Sequence, residues 1–203
     1  EALEKENVSS ELQAYLDYLP ARTVWAIGGD GWAYDIGFGG IDHVLSSEEN
    51  VKILVLDTEV YSNTGGQMSK SSHIGQVAEF ADLGKRSHKK DLFRIAMSYP
   101  NCYVASISLG ANMMQTLKVF KEAQAHQGPS IILAYAPCIE HGIKGGMSCT
   151  TEEQRLAVEV GYTILMRYKP EDERLYIDSK TPNFDRYREF LDREVRYRSL
   201  QIK

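Results

Sequence analysis

The chain has 203 residues, 43% of them apolar and 25% charged, with a net charge of −5 and a pI near 5.6. That length supports one domain with a substantial core, and the acidic balance argues against a nucleic-acid surface, which needs clustered Lys and Arg. No apolar run approaches the ~20 residues that a bilayer crossing requires, and the three widely spaced cysteines (Cys102, Cys138, Cys149) offer no disulfide framework, so a reducing cytoplasm is the expected location.

In chain order, residues 7 to 19 place Val8, Leu12, Tyr15, Leu16 and Leu19 at helical spacing, which predicts an amphipathic helix. Thr23-Val24-Trp25-Ala26-Ile27 reads as a buried strand. After Gly31 a helix is expected with Ile36, Ile41, Val44 and Leu45 on its apolar stripe, interrupted by Gly37, Gly39 and Gly40. Val51–Leu56 is a second strand. The Ser-, Thr-, Asn- and Gly-rich stretch from Thr58 to Ser72 marks a long loop, of the kind that often carries function. Helical patterns follow over 75–83 and 90–98, then a strand over 103–108. A helix from about Ala111 stops at Gly128-Pro129, and a continuous apolar strand covers 130–136.

Thr151-Glu152-Glu153-Gln154 fits a capping box opening a helix through Gly161. Residues 162–168 and 175–178 are expected to pair as an antiparallel ribbon. Thr181-Pro182 then starts a charged helix with Tyr187, Phe190, Leu191 and Val195 inward. Its arginines (Arg186, Arg188, Arg193, Arg196, Arg198) read as an exposed or partner-facing surface. Alternating strands and helices argue for an α/β doubly wound, mostly parallel sheet with a C-terminal helical extension, in one domain over 1–203. A ligand is then expected beyond the carboxyl ends of the strands.

The chemistry concentrates in Gly28-Gly29-Asp30-Gly31 and Asp57-Thr58-Glu59-Val60-Tyr61-Ser62-Asn63. Thr58 follows Asp30 by 28 positions, the length of one strand–helix–strand excursion. Mg²⁺ prefers six oxygens, usually one or two from protein with phosphates and water completing the set. The Asp30 carboxylate, the Thr58 hydroxyl and the Val60 carbonyl offer such oxygens. The glycines let backbone N–H groups face an anion. Taken alone, Asp30 reads as a helix N-cap, and only the second segment tips it towards a metal. A dinucleotide fingerprint starting at Gly29 fails at Tyr34, and no Gly-x-x-x-x-Gly-Lys-Ser/Thr loop occurs, which disfavours nicotinamide and ATP folds.

These two segments resemble the thiamine-diphosphate fingerprint, although Asp57-Thr58 stands where the general form has an Asn pair. The fuller strings GGDGWAYDIGFGGIDHVL (28–45) and DTEVYSNTGGQMSKSS (57–72) are similar to the thiamine-binding domain of pyruvate:ferredoxin or pyruvate:flavodoxin oxidoreductases, in which Thr takes the Asn position. The likeness continues through GKRSHKKDL, YAPCIEHG and the DSK near 180. The resemblance implies Asp30, Thr58 and the Val60 carbonyl as Mg²⁺ ligands, with Gly29 and Gly31 shaping the diphosphate cradle. It implies Asn63, a plain turn residue when read alone, as the active-site amide facing thiazolium and 2-oxo acid.

The implied reaction is oxidative decarboxylation of pyruvate to acetyl-CoA and CO₂. Thiamine diphosphate is the electron sink, and electrons leave through iron–sulfur clusters to ferredoxin or flavodoxin. It also implies pyrimidine- and cluster-binding domains elsewhere in a larger, homodimeric enzyme, and an isolated chain that does not turn over. Alternatives are the same chemistry on another 2-oxo acid, indole- or branched-chain-derived, or a non-catalytic module that keeps the fold.

Cys138, at the end of the 130–136 strand, reads alone as a small buried residue. The resemblance implies one ligand of a 4Fe-4S cluster whose other three thiolates lie outside this chain. A zinc site from Cys138, His141 and Cys149 has too short a signal. Cys102 and Cys149 default to packing. Lys70, His73, His88 and the run from Lys85 to Lys90 read as solvated surface, with an anion such as coenzyme A as the alternative for the run.

Overall fold

The apolar runs become the strands of one mixed sheet. The computed structural model describes residues 23–201, so the helix expected over 7 to 19 lies outside the described residues. In chain order the elements are β1 (Val24–Gly29), α1 (Phe38–Ser46), β2 (Val51–Asp57), β3 (Val60–Tyr61), β4 (Gln67–Met68), α2 (Leu92–Ala96), β5 (Tyr103–Ile107), α3 (Met113–Ala125), β6 (Ser130–Tyr135), α4 (Thr150–Glu159), β7 (Met166–Lys169), β8 (Arg174–Ile177), α5 (Tyr187–Arg193) and α6 (Arg198–Gln201). The strand order is β1-β2-β6-β5-β7-β8. The first four of these run parallel. The expected ribbon forms between β7 and β8, and β7 also pairs antiparallel with β5, extending the sheet. Among the described residues no helix is long and apolar enough to cross a membrane.

Period-two alternation along the strands builds a core on each face. Ile131 and Leu133 of β6 join Ile53 and Val55 of β2 beneath Tyr34, Ile41, Leu45, Leu92 and Phe93. Ile132, between them, points the other way, into Tyr103, Ala105, Ile107, Val119 and Ala123. A third cluster caps the carboxyl end of β6, where Tyr135 meets Leu156, Val160, Tyr162, Phe190 and Tyr197. Because the central strands are parallel, the loops leaving β1, β2 and β6 emerge at the same edge, with Gly29 opposite Leu56 and Asp57 opposite Tyr135.

Several local expectations are corrected. The helix after Gly31 is not continuous: Gly31–Ile36 is a π-helical turn, closed by the Gly37 N–H on the Trp32 carbonyl at 2.8 Å. The wider turn shifts the periodicity, so Ile41 and Leu45 are buried while Ile36 is 83% exposed. Residues 75–83 form turns instead of a helix, since Gly75, Phe80 and Gly84 all hold positive φ (78°, 67° and 87°). No capping box opens α4. Its cap position is Cys149, with no side-chain cap bond, and Gln154 Oε1 accepts instead from the Gly110 N–H. The C-terminal helix breaks at Glu194, whose backbone is extended, before a 3₁₀ turn over Val195–Tyr197. That break turns Val195 outward and Arg196 inward, at 40% and 1% exposure, the reverse of the expectation.

Candidate metal and diphosphate site

β1 ends at Gly29, and Asp30 opens the π-helical turn at φ −64° and ψ −38°. The N-cap reading of Asp30 is overturned, for its side chain makes no cap bond. The carboxylate, 1% exposed, turns toward the next loop. Oδ1 accepts from Thr58 Oγ1 at 2.9 Å and Oδ2 from Ser69 Oγ at 2.6 Å. The Thr58 hydroxyl also lies 3.1 Å from the Val60 carbonyl oxygen and accepts from Ser62 Oγ at 2.8 Å. A hydroxyl has one proton, so it cannot serve Asp30 and Val60 fully at once.

The three oxygens thus sit 2.9 and 3.1 Å apart in sequence along Asp30, Thr58 and Val60. An octahedron of ~2.1 Å Mg–O bonds has edges of about 2.9–3.0 Å, and both spacings match such an edge. Burial pushes the Asp30 carboxyl up to about 6, against the lowering effect of the Ser69 hydroxyl. Among the described residues no Lys, Arg or His forms an ion pair with it. A cation would supply the missing counter-charge.

The glycines divide by role. A Cβ on Gly29 would meet nothing within 4 Å, so the space beyond β1 is open for an anion. A Cβ on Gly31 would run into the Tyr61 ring, whose hydroxyl donates to the Gly31 carbonyl at 3.3 Å. Gly31 therefore seats the ribbon β3–β4 against the π-helical turn. Asn63 lies exposed in the 3₁₀ turn Ser62–Thr64, beside the three oxygens in sequence but not joined to them by a hydrogen bond. Cys138 is buried in a separate turn after β6.

Beneath the oxygens lies a polar frame that sequence reasoning missed. Glu59, between Thr58 and Val60, adopts φ +60° and is 1% exposed. Its carboxylate accepts from Lys89 Nζ at 2.9 Å, Arg196 Nη1 at 2.5 Å and Tyr162 OH at 2.5 Å, with His73 Nε2 at 3.0 Å. Burial alone would push this carboxyl up, but Lys89, His73 and Arg196 together hold it well below the usual range. Its carbonyl accepts from Ser72 Oγ at 2.5 Å and Gln76 Nε2 at 3.2 Å. These contacts stabilise a left-handed non-glycine residue at the turn that aims Thr58 and Val60. Asp57 is gripped in parallel by Lys89 Nζ at 2.7 Å, Tyr34 OH at 3.0 Å and Ser71 Oγ at 2.5 Å.

The solvated reading is therefore corrected for Lys85, Lys89 and Lys90, while Lys70, Arg86 and His88 are exposed as expected. Lys85 Nζ donates to the Ser69 and Ser72 carbonyls at 3.0 and 2.6 Å, Lys89 pairs with both acids, and Lys90 donates to the Tyr34 carbonyl at 3.1 Å. His73 and Arg196, also read as surface, belong to this frame. Arg196 Nε pairs with Glu194 at 2.5 Å, and its Nη2 lies 3.2 Å from Tyr135 OH. His141 Nε2 sits 2.7 Å from the Thr58 carbonyl. Burial and then Arg196 lower the imidazole to about 3. The sequence signals were faint: an acidic residue inside a Ser/Thr/Asn/Gly loop, and an arginine flanked by Val195 and Tyr197.

A cavity of about 350 Å³ opens beside this frame, lined by Tyr34, Lys89, Phe93, Leu133 and Met166 as well as Asp57 and Glu59. Asp30, Thr58 and Asn63 do not line it, so it is distinct from the oxygen cluster. The zinc reading has no support. Among the described residues no three His, Cys, Asp or Glu side chains are arranged to hold a metal. The Asp30 set, with one carboxylate, a hydroxyl and a carbonyl, is not of that type.

Residues 12–134 match the model of the family described as thiamine pyrophosphate enzyme, C-terminal TPP binding domain. The chain belongs to this family. It is 53% identical to a pyruvate-flavodoxin oxidoreductase of Klebsiella pneumoniae, over 98% of this chain and 18% of that protein. It is 50% identical to a pyruvate:ferredoxin oxidoreductase of Moorella thermoacetica, over 98% of this chain and 17% of that protein. The same identity relates it to a mitochondrial pyruvate dehydrogenase [NADP(+)] of Euglena gracilis, over 97% of this chain and 11% of that one. The chain thus spans less than a fifth of the length of these relatives. A solved 2-oxoglutarate:ferredoxin oxidoreductase of Magnetococcus marinus shares the fold, at a TM-score of 0.56 and 24% identity, over 61% of this chain and 42% of that one.

Proposed function

We propose that this chain holds Mg²⁺ and the diphosphate of thiamine diphosphate within a 2-oxo acid oxidoreductase that converts pyruvate, coenzyme A and an oxidised electron carrier to acetyl-CoA, CO₂, a proton and the carrier reduced by two electrons in total. The observation that carries this reading is the line of oxygens from Asp30 through Thr58 to Val60, at octahedral-edge spacing. It lies next to the open space at Gly29. In this reading Asp30, Thr58 Oγ1 and the Val60 carbonyl ligate the ion. The backbone around Gly29 and Gly31 receives the phosphates. Glu59 and its partners keep the turn from collapsing, and exposed Asn63 meets the substrate side. Bound thiamine diphosphate supplies the carbon nucleophile and electron sink.

Cys138 contributes one thiolate to a 4Fe-4S cluster. A cubane cluster takes four, more than the three cysteines of this chain, and buried Cys102 belongs to the sheet core, so at least two thiolates come from outside this chain; the family resemblance implies three. Relatives named for flavodoxin, ferredoxin and NADP⁺ stand at 53%, 50% and 50% identity. Such even similarity supports choice of the electron acceptor by other domains.

Calorimetric titration of the chain, together with the pyrimidine-binding domain of the same enzyme, with thiamine diphosphate tests the reading. Saturable binding is expected with Mg²⁺ and none with a chelator, and Asp30→Ala should abolish it. Equal affinity with and without Mg²⁺, or in the Asp30→Ala variant, would overturn the site.

A further inference from the structure

His141 lies outside the oxygen cluster but touches it. It closes the turn after β6, where its backbone N–H donates to the Cys138 carbonyl at 3.1 Å. Its fully buried ring reaches the other way, to the Thr58 carbonyl at 2.7 Å. A carbonyl only accepts, so Nε2 carries the ring proton and donates. The ring is held in place. Tyr135 stacks on it at a centroid distance of 6.4 Å and 20° between planes. Arg196 Nη1, already bonded to Glu59, packs 3.2 Å from Nε2 and, being a donor itself, makes no hydrogen bond to the protonated nitrogen. One imidazole therefore joins two turns that are 83 residues apart in sequence. The first presents Thr58 and Val60, and the second presents Cys138.

We infer that His141 is a positioning residue that couples these turns, so that an ion drawn onto Thr58 and Val60 also fixes the Cys138 turn. The inference rests on the metal role proposed above for Thr58 and Val60. By linkage the coupling is reciprocal: a group bonded to the Cys138 sulfur alters Mg²⁺ affinity by the same factor that Mg²⁺ alters the state of the Cys138 turn. Cofactor loading and thiolate presentation then become one event.

The chain itself allows the test, because its three cysteines report separately. Iodoacetamide labelling is followed by mass spectrometry with and without saturating Mg²⁺ and thiamine diphosphate. Protection of Cys138 by about tenfold is expected. The rate at half-buried Cys149 should not change, and unreactive Cys102, in the core, monitors the fold. His141→Leu should lose the protection, and His141→Gln, whose amide N–H can donate to the Thr58 carbonyl, should keep most of it. If His141→Leu exposes Cys102, His141→Phe, which fills the space without donating to the Thr58 carbonyl, takes its place. Binding without any change at Cys138 overturns the coupling but leaves the site intact. Equal protection in His141→Leu and wild type overturns the assignment to His141. No Mg²⁺-dependent binding at all, with the pyrimidine-binding domain of the same enzyme supplied alongside the chain, overturns the proposed site, and the coupling with it.

Discussion

The loop from Thr58 to Ser72 and the arm from Tyr187 to Gln201 are both polar stretches, and they meet at Glu59 from opposite sides. The loop works with neutral hydroxyls: Thr58, Ser62 and Ser69 gather around Asp30. The arm works with charge, burying Arg196 between Glu59 and Glu194. Hydroxyl contacts are worth about 1 kcal/mol each and can be exchanged for a metal bond. A buried ion pair is costly to desolvate and costly to break, so it suits a frame that must not move. On the proposed reading the soft region binds and the stiff region holds it in register.

The largest effect that would sharpen this contrast comes from Arg196→Gln. It leaves Glu59 and Glu194 buried without their guanidinium, and a loss of about 3–5 kcal/mol of stability in urea denaturation is expected. Asp30→Asn should do the opposite, abolishing Mg²⁺-dependent binding while leaving the urea midpoint no lower. If both variants lost stability alike, the division between frame and binding loop would fail. Ser69→Ala leaves Asp30 Oδ2 without its hydroxyl donor. A loss of about 1–3 kcal/mol is expected in the same measurement.

A pH dependence separates the regions further. Glu153, fully buried beneath the arm, is pushed up to about 7 by burial and by nearby Glu194, with Arg193 opposing. Its unfolded carboxyl titrates near 4.5. Between those values the folded state keeps a proton that the unfolded chain has released, so this group's contribution to stability falls as pH rises from about 4.5 to 7. Glu153→Gln should match wild type at pH ~4 and exceed it above pH ~7 in urea midpoint. A constant difference across that range would contradict the shift. The smallest effect belongs to Arg186→Ala, whose partners Glu159 and Glu189 are exposed. No resolvable change in the midpoint is expected.

The sheet and the oxygen cluster were legible because their signals are local or evenly spaced. Continuous apolar runs marked β2 and β6, and the interval from Asp30 to Thr58 matched one crossover. The frame was not legible, because its bonds join residues far apart. Glu59 meets Tyr162 and Arg196 at separations of 103 and 137 residues. No periodicity records such a pairing. Lys85, Lys89 and Lys90 were misread for the same reason: Lys89 looks like surface until Asp57 and Glu59 are folded against it. Ile36 was misplaced by a π-helical turn that helical periodicity does not anticipate, and Val195 by the break at Glu194.

The most direct test of the metal assignment is a crystal structure of the chain soaked with Mn²⁺ and thiamine diphosphate, read by anomalous scattering. One strong peak is expected about 2.0–2.2 Å from Asp30 Oδ1, Thr58 Oγ1 and the Val60 carbonyl oxygen. A peak elsewhere, with Thr58 still hydrogen-bonded to Asp30, would contradict the assignment.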